Sequence, residues 1–142
     1  PGRCPAPAPG ELGPFVAEPH AAAIRAGSLS AIDESLHAVS EGIAYLTADE
    51  PVASPWLTWF AVKEVLPLDV KALRSWVRKH HVGTVEIKKR GVEVDPVIWR
   101  RKLKPSGAKF VTFFCTPTTG SAKALVCDRV RLPCGMIGAG QV

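Results

Sequence analysis

Residues 71–104, KALRSWVRKHHVGTVEIKKRGVEVDPVIWRRKLK, decide the fold because they predict a helix, a strand and a second helix in close succession. The first helix is expected over residues 70–80, where apolar side chains recur on one stripe at 3.6-residue spacing. The segment TVEIKKR alternates apolar and charged residues, as a strand buried on one face does. Asp95 and Pro96 then start a helix of about residues 97–104, since Asp caps helix starts and Pro suits the first helical position.

The remaining segments predict further helices and strands on both sides of this stretch. Helices are expected from Pro19 to Gly27 and over residues 31–39, where Ser30 and Asp33 resemble a capping box. Strands are expected at 15–17, 43–47 and 59–66, and a β-hairpin at 109–115 and 122–127. This order predicts an α+β fold, an α/β sandwich in which helices pack on a mixed sheet.

Changes in composition divide the chain into four parts. The first 14 residues hold five Pro and three Gly, which favours a linker, here one expected to follow a missing N-terminal domain. Residues 15–66 and 67–131 are expected to be two closely packed regions, because about 50 residues are few for independent stability. The Gly-rich residues 132–142 are expected to form a flexible tail.

Charge is distributed very unevenly along the chain. Residues 1–68 hold 3 Lys/Arg and 8 Asp/Glu, a net charge of −5, whereas residues 69–142 hold 15 Lys/Arg and 5 Asp/Glu, a net charge of +10. A strongly cationic half attracts polyanions, and nucleic acid is the foremost of these.

The basic residues fall in three clusters on consecutive predicted elements. A single cluster would be typical of a solvated surface, but three crowded clusters repel one another unless a partner relieves them. We therefore predict phosphate binding, with a solvated face and a protein or domain partner as the alternatives. The residues predicted to contact phosphates are Arg74, Arg78, Lys88, Lys89, Arg90, Arg100, Arg101 and Lys104.

Signatures of catalysis, metal binding and membrane insertion are missing from the sequence. It contains no G-x-S-x-G, no H-E-x-x-H, no P-loop and no G-x-G-x-x-G after a strand. No 18-residue apolar run occurs, so no membrane-spanning helix and no membrane partner are expected. His80 and His81 are adjacent at a helix end, where a cap or solvated side chains are more plausible than shared metal ligation. We therefore expect no catalytic, cofactor-binding or metal-binding residue in this chain.

The cysteines and two phenylalanines leave alternatives open. Four cysteines occur without any C-x-x-C spacing, and those in the hairpin strands are expected to be buried free thiols, with a disulfide as the alternative. Phe113 and Phe114 are neighbours in one predicted strand, so one of them should face outward if the strand is regular. An exposed ring there would offer a stacking surface for a base.

Two sets of strings resemble a known family. VGTVEIKKRGVEVDPVIWRRKLK, preceded by VLPLDVKALRSWV, resembles the C-terminal THUMP-like domain of a family of S-adenosylmethionine-dependent methyltransferases from actinobacteria and Bacteroidetes. FVAEPHAAAIRAG and IAYLTAD are similar to the small ferredoxin-like segment that precedes this domain. The resemblance covers about residues 14–130. It implies that residues 15–66 form the ferredoxin-like segment and 67–131 the THUMP-like domain.

The resemblance also implies what the chain does. A class I methyltransferase domain, N-terminal to it in the same cytoplasmic protein, would hold S-adenosylmethionine and act as its partner in cis. The chain would be a non-catalytic substrate-recognition module that binds RNA, either tRNA or rRNA. The alternative is a structural module that docks on the methyltransferase domain or on a partner subunit.

Overall fold

The computed structural model describes residues 6–27 and 29–132 and divides the chain into two compact units. The first comprises Pro1–Ala61 together with Arg129–Val142, and the second comprises Val62–Asp128. Both units combine β-strands with helices, which confirms the predicted α+β class. No helix of the described residues is long and apolar enough to cross a bilayer.

In its described residues, the first unit is a small antiparallel sheet with one short α-helix and one 3-10 helix. Its strands are β1 (Phe15–Pro19), β2 (His37–Ala38), β3 (Leu46–Ala48) and the first part of β4 (Leu57–Pro67), in the order β2-β3-β1-β4. Helix α1 spans Ala21–Ala26 and ends at Gly27, which adopts a φ of 67°. The core of this unit is formed by Ala17, Leu36, Leu46, Ala48, Leu57 and Trp59.

The first predicted helix is confirmed up to its end at Gly27 but its start is wrong, and the second predicted helix of this unit is wrong altogether. Pro19 does not start a helix but ends β1, where it pairs with Leu57. The helix predicted over residues 31–39 is replaced by a short 3-10 helix, Leu29–Ala31, and by β2. The Asp33 carboxylate accepts hydrogen bonds from the Ser35 hydroxyl (2.6 Å) and the Ser35 N–H (2.8 Å). These bonds lower the pKa of Asp33 and form a local turn that competes with a helix.

Part of the Pro-rich segment of residues 1–14, here called the lead-in, is hydrogen-bonded to the first unit. Ala38 donates its N–H to the Ala8 carbonyl (2.9 Å), and the Gly10 N–H donates to the Ala38 carbonyl (3.0 Å). Further on, the Gly13 N–H donates to Thr47 Oγ1 (2.8 Å). The lead-in therefore pairs with β2 before the chain enters β1.

The second unit places two helices against a four-stranded sheet. Its elements are the second part of β4, α2 (Val70–Lys79), β5 (Val82–Lys89), α3 (Pro96–Leu103), β6 (Lys109–Thr116) and β7 (Lys123–Arg129). The strand order is β4-β7-β6-β5, with β5 parallel and β7 antiparallel to β6. The hairpin and both helices agree with the sequence prediction.

Capping and burial explain why these helices form where they do. Asp69 accepts the Ala72 N–H (3.0 Å) at the start of α2, and Asp95 accepts the Val97 and Ile98 N–H groups at the start of α3. The two helices cover one face of the sheet. The residues buried between the helices and the sheet include Leu73, Val77, Val85, Ile87, Leu103, Val111, Phe113 and Cys115. Strands β5 and β6 are parallel, and they are preceded by α2 and α3 respectively. The C-termini of both helices therefore lie near the N-termini of these two strands.

Candidate nucleic-acid interface

A cavity of about 530 Å³ lies in the second unit, at the C-terminal ends of α2 and α3. We call it the basic cleft. Its polar lining comes from four segments, namely α2, the turn into β5, the end of α3 and the loop before β6. The residues concerned are Arg74, Arg78, His81, Lys104, Ser106 and Gly107. None of the described lining residues is acidic, so the cleft concentrates positive charge in a unit that holds 14 Lys/Arg and 6 Asp/Glu.

Helix packing holds the cations of the basic cleft in place. Val77 and Leu103, each 1% exposed, belong to the buried core and line the apolar side of the cavity. Arg74 donates from Nε to the Lys102 carbonyl (2.9 Å), which joins α2 to the last turn of α3. Cations near helix C-termini are also favoured by the helix dipoles. The guanidinium of Arg74 is therefore oriented before any ligand arrives.

Two residues of the cleft adopt a backbone conformation that is uncommon for side chains other than glycine. His81 has φ = 57° and Lys104 has φ = 50°, both in the left-handed region. Such a conformation costs about 1–2 kcal/mol per residue. The fold supports it at His81, whose carbonyl accepts the N–H groups of Ala108 (3.0 Å) and Lys109 (3.1 Å). Strained residues of this kind concentrate at functional sites.

Two glycines allow the backbone segments under the cleft to approach closely. A Cβ atom at Gly83 would overlap the Gly107 carbonyl, and one at Gly107 would overlap the His81 carbonyl. The approach lets the N–H groups of Ser106 and Gly107 both donate to the Val82 carbonyl (3.0 Å each). Gly83 itself lies within β5.

The structure brings together three of the eight predicted RNA-binding residues, Arg74, Arg78 and Lys104, and places the other five elsewhere. Lys88 lies on the sheet face away from the helices, with Nζ 3.5 Å from Glu86 Oε2. Glu86 in turn accepts a hydrogen bond from Thr112 (3.1 Å). Lys89 and Arg90 lie at the C-terminal end of β5, away from the basic cleft. Arg100 and Arg101 lie on the surface of α3. Phosphate contacts by these five remain a prediction.

His81, Ser106 and Gly107 are cleft residues that the sequence reasoning missed. The neighbouring His80 is the C-cap of α2 and stacks on Trp76 with ring centroids 4.2 Å apart, in line with the predicted capping role. The left-handed turn after it sends His81 to the cleft instead. In the sequence, only the adjacent histidines and the single Gly107 mark these positions. Neither feature is enough to predict the turn that brings His81 and Gly107 to the cleft.

The aromatic residues of β6 differ from the prediction. Phe113 and Phe114 are both fully buried, so the expectation that one of them faces outward as a stacking surface is wrong. The exposed ring on this strand is Phe110, at 61%. Among the tryptophans, Trp59 is buried and donates from Nε1 to the Val52 carbonyl (2.8 Å), whereas Trp56 is 48% exposed.

The two cysteine thiols of the second unit are buried and have low nucleophilic reactivity. Cys115 and Cys127 are buried and free, which confirms the predicted state, while Cys4 and Cys134 lie outside the described residues. Burial raises the pKa of Cys115 to about 12. It also raises the pKa of Cys127, and the Asp128 carboxylate adds to that effect. Because the thiolate is the nucleophilic form, neither group is poised for covalent chemistry.

A mostly apolar cavity in the first unit offers less chemistry than the basic cleft. Its volume is about 370 Å³, and it is lined by alanines, Ile32, Pro55 and Trp56, with Ser54 as a polar side chain. Within residues 6–27 and 29–132, no group of three or more His, Cys, Asp or Glu side chains is arranged to hold a metal ion.

Comparison with solved structures shows that this fold has been seen before. The crystal structure of a candidate methyltransferase from Porphyromonas gingivalis W83 superposes with a TM-score of 0.72 at 19% sequence identity. The match covers 91% of this chain and 32% of the other. At this identity the similarity establishes the shared fold.

Comparison of sequences points to the same group of proteins. An uncharacterised S-adenosylmethionine-dependent methyltransferase of Mycobacterium tuberculosis, found in strains CDC 1551 and H37Rv, is 33% identical over 99 residues. Those residues are 68% of this chain but only 27% of the relative, so the chain matches a minor part of that protein. The profile of the family described as THUMP domain-like matches residues 57–129, which run from the start of β4 to the end of β7. The chain therefore belongs to the THUMP domain-like family.

Proposed function

We propose that this chain is the substrate-recognition part of an S-adenosylmethionine-dependent methyltransferase and that it binds RNA through the basic cleft. The observation that carries the proposal is the convergence of Arg74, Arg78 and Lys104 on one cavity without a carboxylate among its described lining residues. The names of the M. tuberculosis relatives support the methyltransferase activity of the whole protein. S-adenosylmethionine would be bound by a separate domain of that protein.

The chemistry of the cleft suits a phosphodiester. Arg78 and the anchored Arg74 can present planar N–H pairs to phosphate oxygens, while Lys104 supplies a compact point charge. The cavity of about 530 Å³ has room for a phosphate with part of its nucleoside. Contacts of this kind position a nucleic acid without selecting its sequence.

The role in the reaction would be to hold the substrate rather than to transform it. An RNA fixed at the basic cleft raises the effective concentration of its target group at the methyltransferase domain, proposed to be linked in cis. Either tRNA or rRNA would fit such a mode of binding.

A second candidate function is a structural module that docks on the methyltransferase domain or on a partner subunit. The observation in its favour is an exposed apolar pair at the start of α3, where Val97 is 56% and Ile98 43% exposed. This pair lies at the opposite end of α3 from the basic cleft. Docking there would leave the cleft open, so the two functions are compatible.

RNA binding should depend steeply on salt concentration. Three phosphate contacts to a single strand predict a slope of about −2 for log K against log salt, so affinity should fall about 20-fold between about 50 and 200 mM salt. Fluorescence anisotropy with a labelled single-stranded RNA and with tRNA measures this directly. A flat response, or no binding of either RNA at the lower concentration, would exclude the RNA-binding proposal.

A further inference from the structure

Phe110 is the most exposed large apolar side chain among the described residues, at 61%. It is the second residue of β6, and its strand partner on β5 is Thr84, which is also exposed. The apolar ring of Phe110 therefore stays in contact with water unless a binding partner covers it.

The ring projects from the sheet face opposite the helices. The next residue, Val111, packs in the buried core with Val85, and side chains alternate along a strand. Phe110 therefore points away from α2 and α3. Its strand partner Thr84 is polar and exposed, and the ring itself is accessible to solvent.

The ring also lies at the end of the sheet where the basic cleft is found. The neighbouring Lys109 pairs with Val82, which lines the cleft, and donates its N–H to the His81 carbonyl (3.1 Å). Gly107, another lining residue, precedes Phe110 by only three positions. The ring and the cleft therefore share one end of the sheet but lie on opposite faces, so a strand bound at both would pass around this end beside Lys109.

We propose that Phe110 stacks on a base of a single-stranded nucleic acid whose phosphate occupies the basic cleft. The inference rests on the proposed function and deepens it by naming the class of RNA. Cations select a phosphate-bearing partner over an apolar protein surface, and an aromatic ring next to them adds sequence-tolerant stacking. Bases inside a duplex are already stacked and cannot reach the ring, so the site selects unpaired nucleotides.

The test compares Phe110→Ala with Phe110→Trp in the 142-residue chain, using the same RNA sequence as a single strand and as a blunt duplex. Phe110→Ala should weaken single-strand binding about 10-fold and leave the salt slope and duplex binding unchanged. Phe110→Trp should restore the affinity, and its added emission should be quenched when the single strand binds. Circular dichroism and thermal unfolding check that both variants fold as the wild type does.

The possible failures of this test are distinguishable. Wild-type affinity of Phe110→Ala for the single strand would overturn the stacking proposal while leaving RNA binding intact. An equal loss for single strand and duplex would also overturn it, because the ring would then not select unpaired bases. If the wild type binds neither RNA, the proposed function itself fails. If Phe110→Ala instead loses association with the methyltransferase domain but not with RNA, the ring is a protein contact.

Discussion

Replacing Arg78 and Lys104 together with Glu should weaken RNA binding at least about 100-fold at low salt, because each change removes a charge-assisted hydrogen bond and adds repulsion. Both side chains line the basic cleft, both are exposed, and neither belongs to the buried core. The fold should therefore persist. The salt slope should become shallower by about 1.4, from about −2 to about −0.7, since about 0.7 is lost for each phosphate contact to a single strand. Anisotropy titrations at several salt concentrations measure both quantities.

The matched control for this variant carries the same charge change at the other end of the unit. Lys71 is exposed in the first turn of α2, and Lys123 pairs with Thr116 at the far end of β6. Lys71→Glu with Lys123→Glu alters the net charge equally but leaves the cleft intact. The control should keep the affinity within a few-fold of wild type. Equal losses in the two variants would show that total charge, not the basic cleft, determines binding.

Replacing Phe113 with Ala should lower the free energy of unfolding by about 3–5 kcal/mol, the range for large aromatic residues in a core. The ring is fully buried between the sheet and α2, with its centroid 5.9 Å from that of Trp76 in an edge contact. Such a loss is a large part of the stability of an ordinary domain, which is about 5–15 kcal/mol. Urea unfolding followed by tryptophan fluorescence measures the change.

Phe110→Ala is the matched control on the same strand. It makes the same chemical change at an exposed ring, and surface substitutions usually alter stability by no more than about 0.5 kcal/mol. A similar loss in both variants would contradict the burial assigned to β6. A small loss for Phe113→Ala would place its side chain outside the core.

The second unit could be predicted from sequence because its signals are local and agree with one another. Asp69 and Asp95 cap helices whose apolar stripes match the helical period, and the hairpin strands are strongly β-forming. In the first unit, local signals compete with tertiary pairing. Pro19 suits a helix start equally well as a strand end, and its pairing with Leu57 decides the outcome.

The candidate site was predictable only in part. Sequence identifies Arg74, Arg78 and Lys104 as cations, but their convergence depends on the packing of α2 on α3. His81 adopts a left-handed backbone conformation that residues other than glycine rarely adopt, and no local sequence pattern predicts it. The alternation of β6, which Val111 fixes by entering the core, gives the sheet face on which Phe110 lies. It does not give the exposure of the ring, because Phe114 lies on the same face and is buried.

The most direct test of the account is the map of backbone amide shifts in the NMR spectrum of the ¹⁵N-labelled chain as single-stranded RNA is added. The basic cleft is the proposed seat of the phosphate, so the largest shifts should come from Arg78, His81, Lys104 and Gly107. Shifts concentrated at Val97 and Ile98, or in the first unit, with the cleft amides unmoved would contradict it.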